Sequence, residues 1–182
     1  KLTKRDLDCE LSREDGSRDY RSRHAFGATY GEHRAALELG ADDVESLIQR
    51  THGHGMLSVA TACDVPSLEL VTSLGVDAIK IASRDAANEP LLARVADCGL
   101  PVLLSSGMSD WEELDAAVAA LAPAHDRLVV MQCTSLYPTP VEQTHLRSIA
   151  AVAARYAVPA GFSDHAGGRG DGGPRHRKTS DA

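Results

Sequence analysis

The sequence predicts an α/β fold of the partial (β/α)8 TIM-barrel class, on three observations. Five short, nearly all-apolar runs recur along the chain, each followed by a polar turn and a helical segment. Runs of that kind suit strands buried on both faces, as in a parallel sheet. The rival architecture, an open doubly wound sheet, usually carries a glycine-rich phosphate loop, and neither GxGxxG nor GxxxxGK[ST] occurs. The chain has 182 residues, whereas a complete eight-unit barrel typically needs about 250.

The predicted strands are Met56–Thr61, Ala78–Ile81, Val102–Ser105, Leu128–Cys133 and Ala160–Ser163. Asp42–His52 is expected to be a helix leading into the first of them. Val65–Leu74 and Pro90–Cys98 carry helical stripes, with Pro66 and Pro90 near their starts and Gly75 and Gly99 just past their ends. Ser109 and Glu112 have the spacing of a capping box before the stripe Trp111, Leu114, Ala117, Val118 and Leu121. Residues 1–165 read as one partial-barrel domain, in which 5–40 form a long polar loop with a short hairpin. Residues 166–182 lack periodicity and apolar content and read as a disordered or unrelated tail.

A net charge of -7 argues against non-specific nucleic-acid binding, which needs a basic footprint. It leaves room for an anionic substrate, since local cations in a cleft decide that. Cys9, Cys63, Cys98 and Cys133 have neither CxxC nor zinc-ligand spacing and read as reduced thiols of a cytoplasmic protein. No apolar run approaches membrane-span length, and the charged start has no signal-peptide core.

In α/β barrels the chemistry sits at the C-terminal ends of the strands. Those positions here hold Thr61; then Lys80 with Ser83 and Asp85; then Ser105, Ser106 and Gly107; then Gln132, Thr134, Ser135 and Tyr137; then Ser163, Asp164 and His165. Hydroxyls and amides around one lysine suit a phosphate or carboxylate. Asp85 is a carboxylate near that lysine, and His165 can serve as a metal ligand or an acid–base group. Taken singly, each has a plainer explanation as a turn former, helix cap or packed side chain.

Four ordered motifs resemble those of sialic acid synthases. Lys80-Ile81-Ala82-Ser83-Arg84-Asp85, followed by Asn88 and Pro90, resembles their K-I-G-S-x-[DE]-x-x-N-x-P. Leu104-Ser105-Ser106-Gly107-Met108 resembles L-S-[ST]-G-M, and Gln132-Cys133-Thr134-Ser135-Leu136-Tyr137-Pro138 resembles [HQ]-C-T-[SN]-x-Y-P. Gly161-Phe162-Ser163-Asp164-His165 resembles G-[FLY]-S-[DG]-H. Tyr30-Gly31-Glu32-His33 and Lys1-Leu2-Thr3-Lys4 are similar to the animal-type branch in particular.

The resemblance implies a barrel synthase that joins phosphoenolpyruvate to N-acetylmannosamine or its 6-phosphate, giving N-acetylneuraminate or its 9-phosphate. It implies that Lys1, Thr61, Lys80, Ser83, Ser105, Ser135 and Ser163 hold phosphoenolpyruvate and that Tyr137 helps to hold the N-acetylated amino sugar. Asp85 falls at the family's proton-transfer position, beside Lys80, and His165 at one of two histidine ligands of Mn²⁺ or Mg²⁺. The full-length family forms homodimers. Against the family pattern, the first strand, the last two strands with a second metal histidine, and the antifreeze-like domain are expected to be absent, with turnover impaired. Three other readings stay open: a pseudaminic or legionaminic acid synthase, a Schiff-base aldolase using Lys80, or a barrel fragment without catalysis.

Overall fold

The computed structural model describes residues 1–166. Two compact units divide the chain after Lys80. Residues 167–182, most of the predicted tail, lie outside the described residues.

In the first unit, strand β1 (Leu2–Lys4) precedes helices α1 (Leu7–Glu10), α2 (Arg13–Ser17), α3 (Tyr30–Leu37) and α4 (Ala41–Gly53). Strand β2 (Val59–Ala62), helix α5 (Val65–Ser73) and strand β3 (Ala78–Ile81) follow. All pairing is parallel, β1 on β2 and β2 on β3. Val44 and Ile48 of α4 and Leu68 and Val71 of α5 are buried, as are Ala60, Ala62 and Ile79 of the strands. Each fully buried aliphatic side chain of Val or Ile size contributes about 1.5–3 kcal/mol. Pro66 occupies the first turn of α5, and Gly75 follows that helix with φ +81°, a conformation that only glycine adopts cheaply.

Residues 5–40 differ from the expected long loop, because they contain α1, α2 and α3. Each helix has a side-chain cap: Asp6 accepts from the Asp8 amide, Ser12 from that of Asp15, and Thr29 forms a capping box with Glu32. None of the three buries a residue, so no apolar stripe marks them. Ion pairs hold them instead, with Lys4 Nζ 3.0 Å from Glu38, and Arg34 2.9 Å and Arg5 3.2 Å from Glu10. The only antiparallel contact among these residues is an isolated bridge between Asp19 and Thr29.

In the second unit, α6 (Glu89–Asp97), β4 (Val102–Ser105), α7 (Trp111–Ala120), β5 (Leu128–Cys133), α8 (Ser148–Tyr156) and β6 (Ala160–Ser163) alternate, and β4, β5 and β6 pair in parallel. Leu104 and Val130 from the strands are fully buried, along with Leu121 behind α7. Leu91 and Val95 of α6 and Val152 of α8 are buried too. The cap of α7 is Asp110, with Glu113 completing its capping box, one residue later than the expected Ser109–Glu112 pair. All four cysteines are free, and no helix among the described residues is long and apolar enough to cross a membrane.

Candidate functional site

Register places the first group of polar residues. Thr3 pairs with Thr61, and Thr61 pairs with Lys80, across the three parallel strands of the first unit. Register partners in adjacent parallel strands share a face and stand about 4.8 Å apart. Two hydroxyls and one ammonium therefore form a row at the strand ends. Ile79 and Ile81, on either side of Lys80 in β3, are fully buried on the opposite face. Thr61 is 4% exposed, and its Oγ1 has no hydrogen-bond partner among the described residues. A buried hydroxyl without a partner is costly, so this atom is poised for a ligand or water. Lys1 does not join the row: it is exposed and borders a small hollow with Leu47, Thr51 and Ser58, at the start of β2.

In the second unit the strand ends approach one another more closely. Ser83 and Asp85 lie in a 3₁₀ turn directly after β3. The Gly107 N–H donates to Ser83 Oγ at 3.0 Å. A Cβ on Gly107 would stand 2.7 Å from Ser135 Oγ and 2.9 Å from Cys133 Sγ, so β4 reaches β5 here only because that side chain is absent. Cys133 pairs with Ser163 in register, and its Sγ lies 3.6 Å from His165 Nδ1. The rings of His165 and Tyr137 are 4.5 Å apart, and the Tyr137–Pro138 peptide bond is cis. Ser83, Ser135, Tyr137, Ser163 and His165 are thus joined by direct contacts or through Gly107 and Cys133.

Ser105 and Asp85 are both buried, at 1% and 8% exposure. Ser105 pairs with Met131, on the sheet face that also carries Cys133 and Ser163. Asp85 keeps an Arg84 guanidinium 3.5 Å from its carboxylate, an anion partially neutralised inside the fold. A cavity of about 330 Å³ reaches the strand-end residues Ser106, Gly107, Gln132 and Thr134 but none of the residues assigned to substrate, proton transfer or metal. Trp111, Leu114, His145 and Val152 wall it, beside α7 and α8.

Thr3 and Thr139 were not legible as site residues, and Gly107 was legible only as a strand-end residue. Thr3 lies in a three-residue strand with no apolar run to announce it. Gly107 acts by close approach, which follows from register. Thr139 is 4% exposed, and its N–H donates to the His165 carbonyl at 2.8 Å. A bound metal needs several ligands. Among the described residues no three His, Cys, Asp or Glu side chains cluster to hold an ion, so His165 offers one nitrogen and the described residues do not complete a site.

The NeuB family profile matches residues 1–170. The chain belongs to the NeuB family. N-acetylneuraminate-9-phosphate synthase of Drosophila melanogaster is 35% identical over 167 residues, covering 91% of this chain and 45% of that protein. N,N'-diacetyllegionaminic acid synthase of Legionella pneumophila is 33% identical over 135 residues, covering 71% of this chain and 38% of that one. The solved sialic acid synthetase of Leptospira borgpetersenii, in complex with citrate, superposes with a TM-score of 0.76 at 28% identity, over 91% of this chain and 54% of that one. This NeuB-family chain therefore has the α/β fold of a partial barrel, and it spans about half the length of the curated relatives it matches.

Proposed function

We propose that this NeuB-family protein serves a phosphoenolpyruvate-dependent synthase reaction that extends an N-acetylated amino sugar to a nonulosonate of the sialic acid type. The observation that carries the reading is the Thr61–Lys80 register pair: an ammonium beside a buried hydroxyl that has no partner among the described residues, at the ends of β2 and β3. Such a pair suits a phosphate or carboxylate, and membership of the NeuB family supports reading that anion as phosphoenolpyruvate. Lys80, Thr61, Ser83, Ser105, Ser135 and Ser163 are assigned to phosphoenolpyruvate and Tyr137 to the sugar, and Lys1, which borders the hollow at the start of β2, is left out of the set. N-acetylmannosamine or its 6-phosphate is the acceptor in this reading, which the Drosophila relative supports.

In the reaction, C3 of phosphoenolpyruvate bonds to the aldehyde carbon of the open-chain sugar. Water adds at C2, and the C2–O bond to phosphate then breaks. Lys80 and the hydroxyls hold the anionic groups while charge develops at C2. Asp85 moves a proton beside the new bond. A divalent ion, Mn²⁺ or Mg²⁺, held in part by His165 belongs to the same proposal and would polarise the aldehyde. The described residues give it one ligand, so no step is routed through it. A cytoplasmic location and homodimeric assembly go with this reading.

Titrating phosphoenolpyruvate into the ¹⁵N-labelled chain tests the proposal. The amides of Thr61, Lys80, Ser83 and Gly107 are expected to shift, and Lys80→Ala to abolish the shifts; unchanged spectra in the parent chain would sink it. Phosphate release on adding sugar and Mn²⁺ measures turnover. A second reading, a legionaminic-type acceptor, is favoured by the Legionella relative and is separated by comparing the two sugars. Borohydride trapping of pyruvate on Lys80 would instead identify a Schiff-base aldolase.

A further inference from the structure

A buried glutamine on β5 points away from the candidate site. Alternation puts Gln132 on the sheet face of Leu128 and Val130, whereas Met131 and Cys133 face the other way. Gln132 is 8% exposed, and its Nε2 donates to the Thr144 carbonyl at 3.4 Å. That contact fixes the sense of the amide. A carbonyl can only accept, so the nitrogen faces Thr144 and Oε1 faces away. Oε1 accepts no hydrogen bond among the described residues, and Gln132 borders the cavity of about 330 Å³ beside α7 and α8. An amide oxygen held inside the fold without a donor is costly, so this atom is poised for a ligand that supplies one.

We infer that this cavity is a binding site for a neutral pyranose, separate from the phosphoenolpyruvate site and not dependent on that reading. Leu114 and Val152, both buried, give it apolar walls, and the half-exposed indole of Trp111 gives it an aromatic one. The Arg155 guanidinium, itself paired with Asp115, stands over that indole at 5.1 Å and steadies it. Small-molecule sites are commonly concave and mostly apolar, of about 300–1,000 Å³, with a few fixed polar groups. Here those groups select the ligand. The buried Gln132 Oε1 and the exposed Asp110 carboxylate both accept, so the ligand must donate. No Lys or Arg lines the cavity, which together with Asp110 disfavours an anion. The buried acceptor is an uncharged amide, so a cation seated on it would lack a buried counter-charge. A pyranose meets all three conditions. It brings hydroxyl donors for Gln132 and Asp110, it carries no charge, and its C–H face suits the indole. Ser148, at the start of α8, adds a hydroxyl that can donate or accept.

Trp111 is the sole tryptophan of the sequence, so its fluorescence and its indole N–H resonance report on this cavity. The probe is methyl α-glucopyranoside, which is neutral and has no N-acetyl group, titrated into the ¹⁵N-labelled full chain. A saturable change in both signals is expected, with a shift of the Gln132 side-chain amide and none at the Ser83 and Ser163 amides. Gln132→Leu keeps the bulk and removes the acceptor, and is expected to weaken binding about 10-fold. Ser148→Leu, at a partly exposed position, narrows the cavity from α8 and is expected to remove the response. No saturable change in the parent chain overturns the inference, as does parent-like affinity in a folded Gln132→Leu or Ser148→Leu. Shifts at Ser83 and Ser163 with a silent indole would place the sugar at the candidate site and overturn it as well. Saturation by tetramethylammonium but not by the glycoside would overturn it in favour of a cation site.

Discussion

The backbone N–H of Gly107 donates to the hydroxyl oxygen of Ser83 at 3.0 Å. A hydroxyl that accepts in this way keeps its own hydrogen to donate elsewhere. Ser83 is thereby left as a donor, the role an anion requires. The same glycine touches Ser135 and Cys133, so one residue without a side chain spaces two hydroxyls of the candidate site.

Gly107→Ala puts a methyl group 2.7 Å from Ser135 Oγ and 3.0 Å from the Cys133 carbonyl oxygen. The Ser135 side chain can swing away, but the carbonyl is backbone. Overpacking of this kind costs about 1–3 kcal/mol. Chemical denaturation should show that loss, together with weaker phosphoenolpyruvate binding. A variant as stable and as tight-binding as the parent would remove Gly107 from the site.

Thr61→Val should separate stability from binding. The Thr61 hydroxyl is buried without a partner among the described residues, and valine has nearly the same shape without that polar group. Removing an unsatisfied buried hydroxyl is expected to raise stability by about 1 kcal/mol. Binding of phosphoenolpyruvate should fall in the same variant. Calorimetric unfolding and ligand titration on one preparation check both signs.

The lower ends of β2 and β3 carry a pH-dependent tie. The Ser58 hydroxyl and amide both donate to Asp77 Oδ2 at 2.6 Å, and His52 Nε2 lies 2.7 Å from the same oxygen. These bonds, the Ser58 hydroxyl first, pull the Asp77 pKa from 3.8 down to about 2. A depressed carboxylate stabilises the fold fully above its unfolded pKa, and that contribution fades as pH drops to the folded value. Stability should therefore decline between pH 3.8 and about 2. Asp77→Asn should flatten that part of the curve, and denaturant midpoints across the range measure it.

Helix α8 ends at Ala157 with φ +54° and ψ +34°, in the left-handed region. A residue with a Cβ there costs roughly 1–2 kcal/mol, and glycine largely escapes the cost. Ala157→Gly is expected to raise the unfolding free energy by about 1 kcal/mol. A lowered melting temperature would show that the alanine methyl contributes packing that outweighs the strain.

Much of the fold was legible because buried parallel strands are apolar throughout. Ala78–Ile81, Val102–Ser105, Leu128–Cys133 and Ala160–Ser163 fall where the runs predicted, and Met56–Thr61 is displaced to Val59–Ala62. Leu2–Lys4 escaped notice because three residues with a central threonine make no run. Helices α1 to α3 escaped because ion pairs and caps, not a stripe, hold them in place. Only the capping residues Thr29 and Glu32 left a readable trace. In the candidate site, Lys80, Ser105 and His165 could be picked out as polar residues ending apolar runs. The approach of Gly107 to Ser83 and Ser135 could not, because it depends on which residues of neighbouring strands stand level.

In β3, Lys80 stands between Ile79 and Ile81, both wholly removed from water. Sliding this strand by a single residue would force the ammonium beneath the helices and turn both isoleucines toward solvent. Oil–water partition thus polices where the cation goes: any chain that tucks its isoleucines away has, by the same act, aimed its lysine.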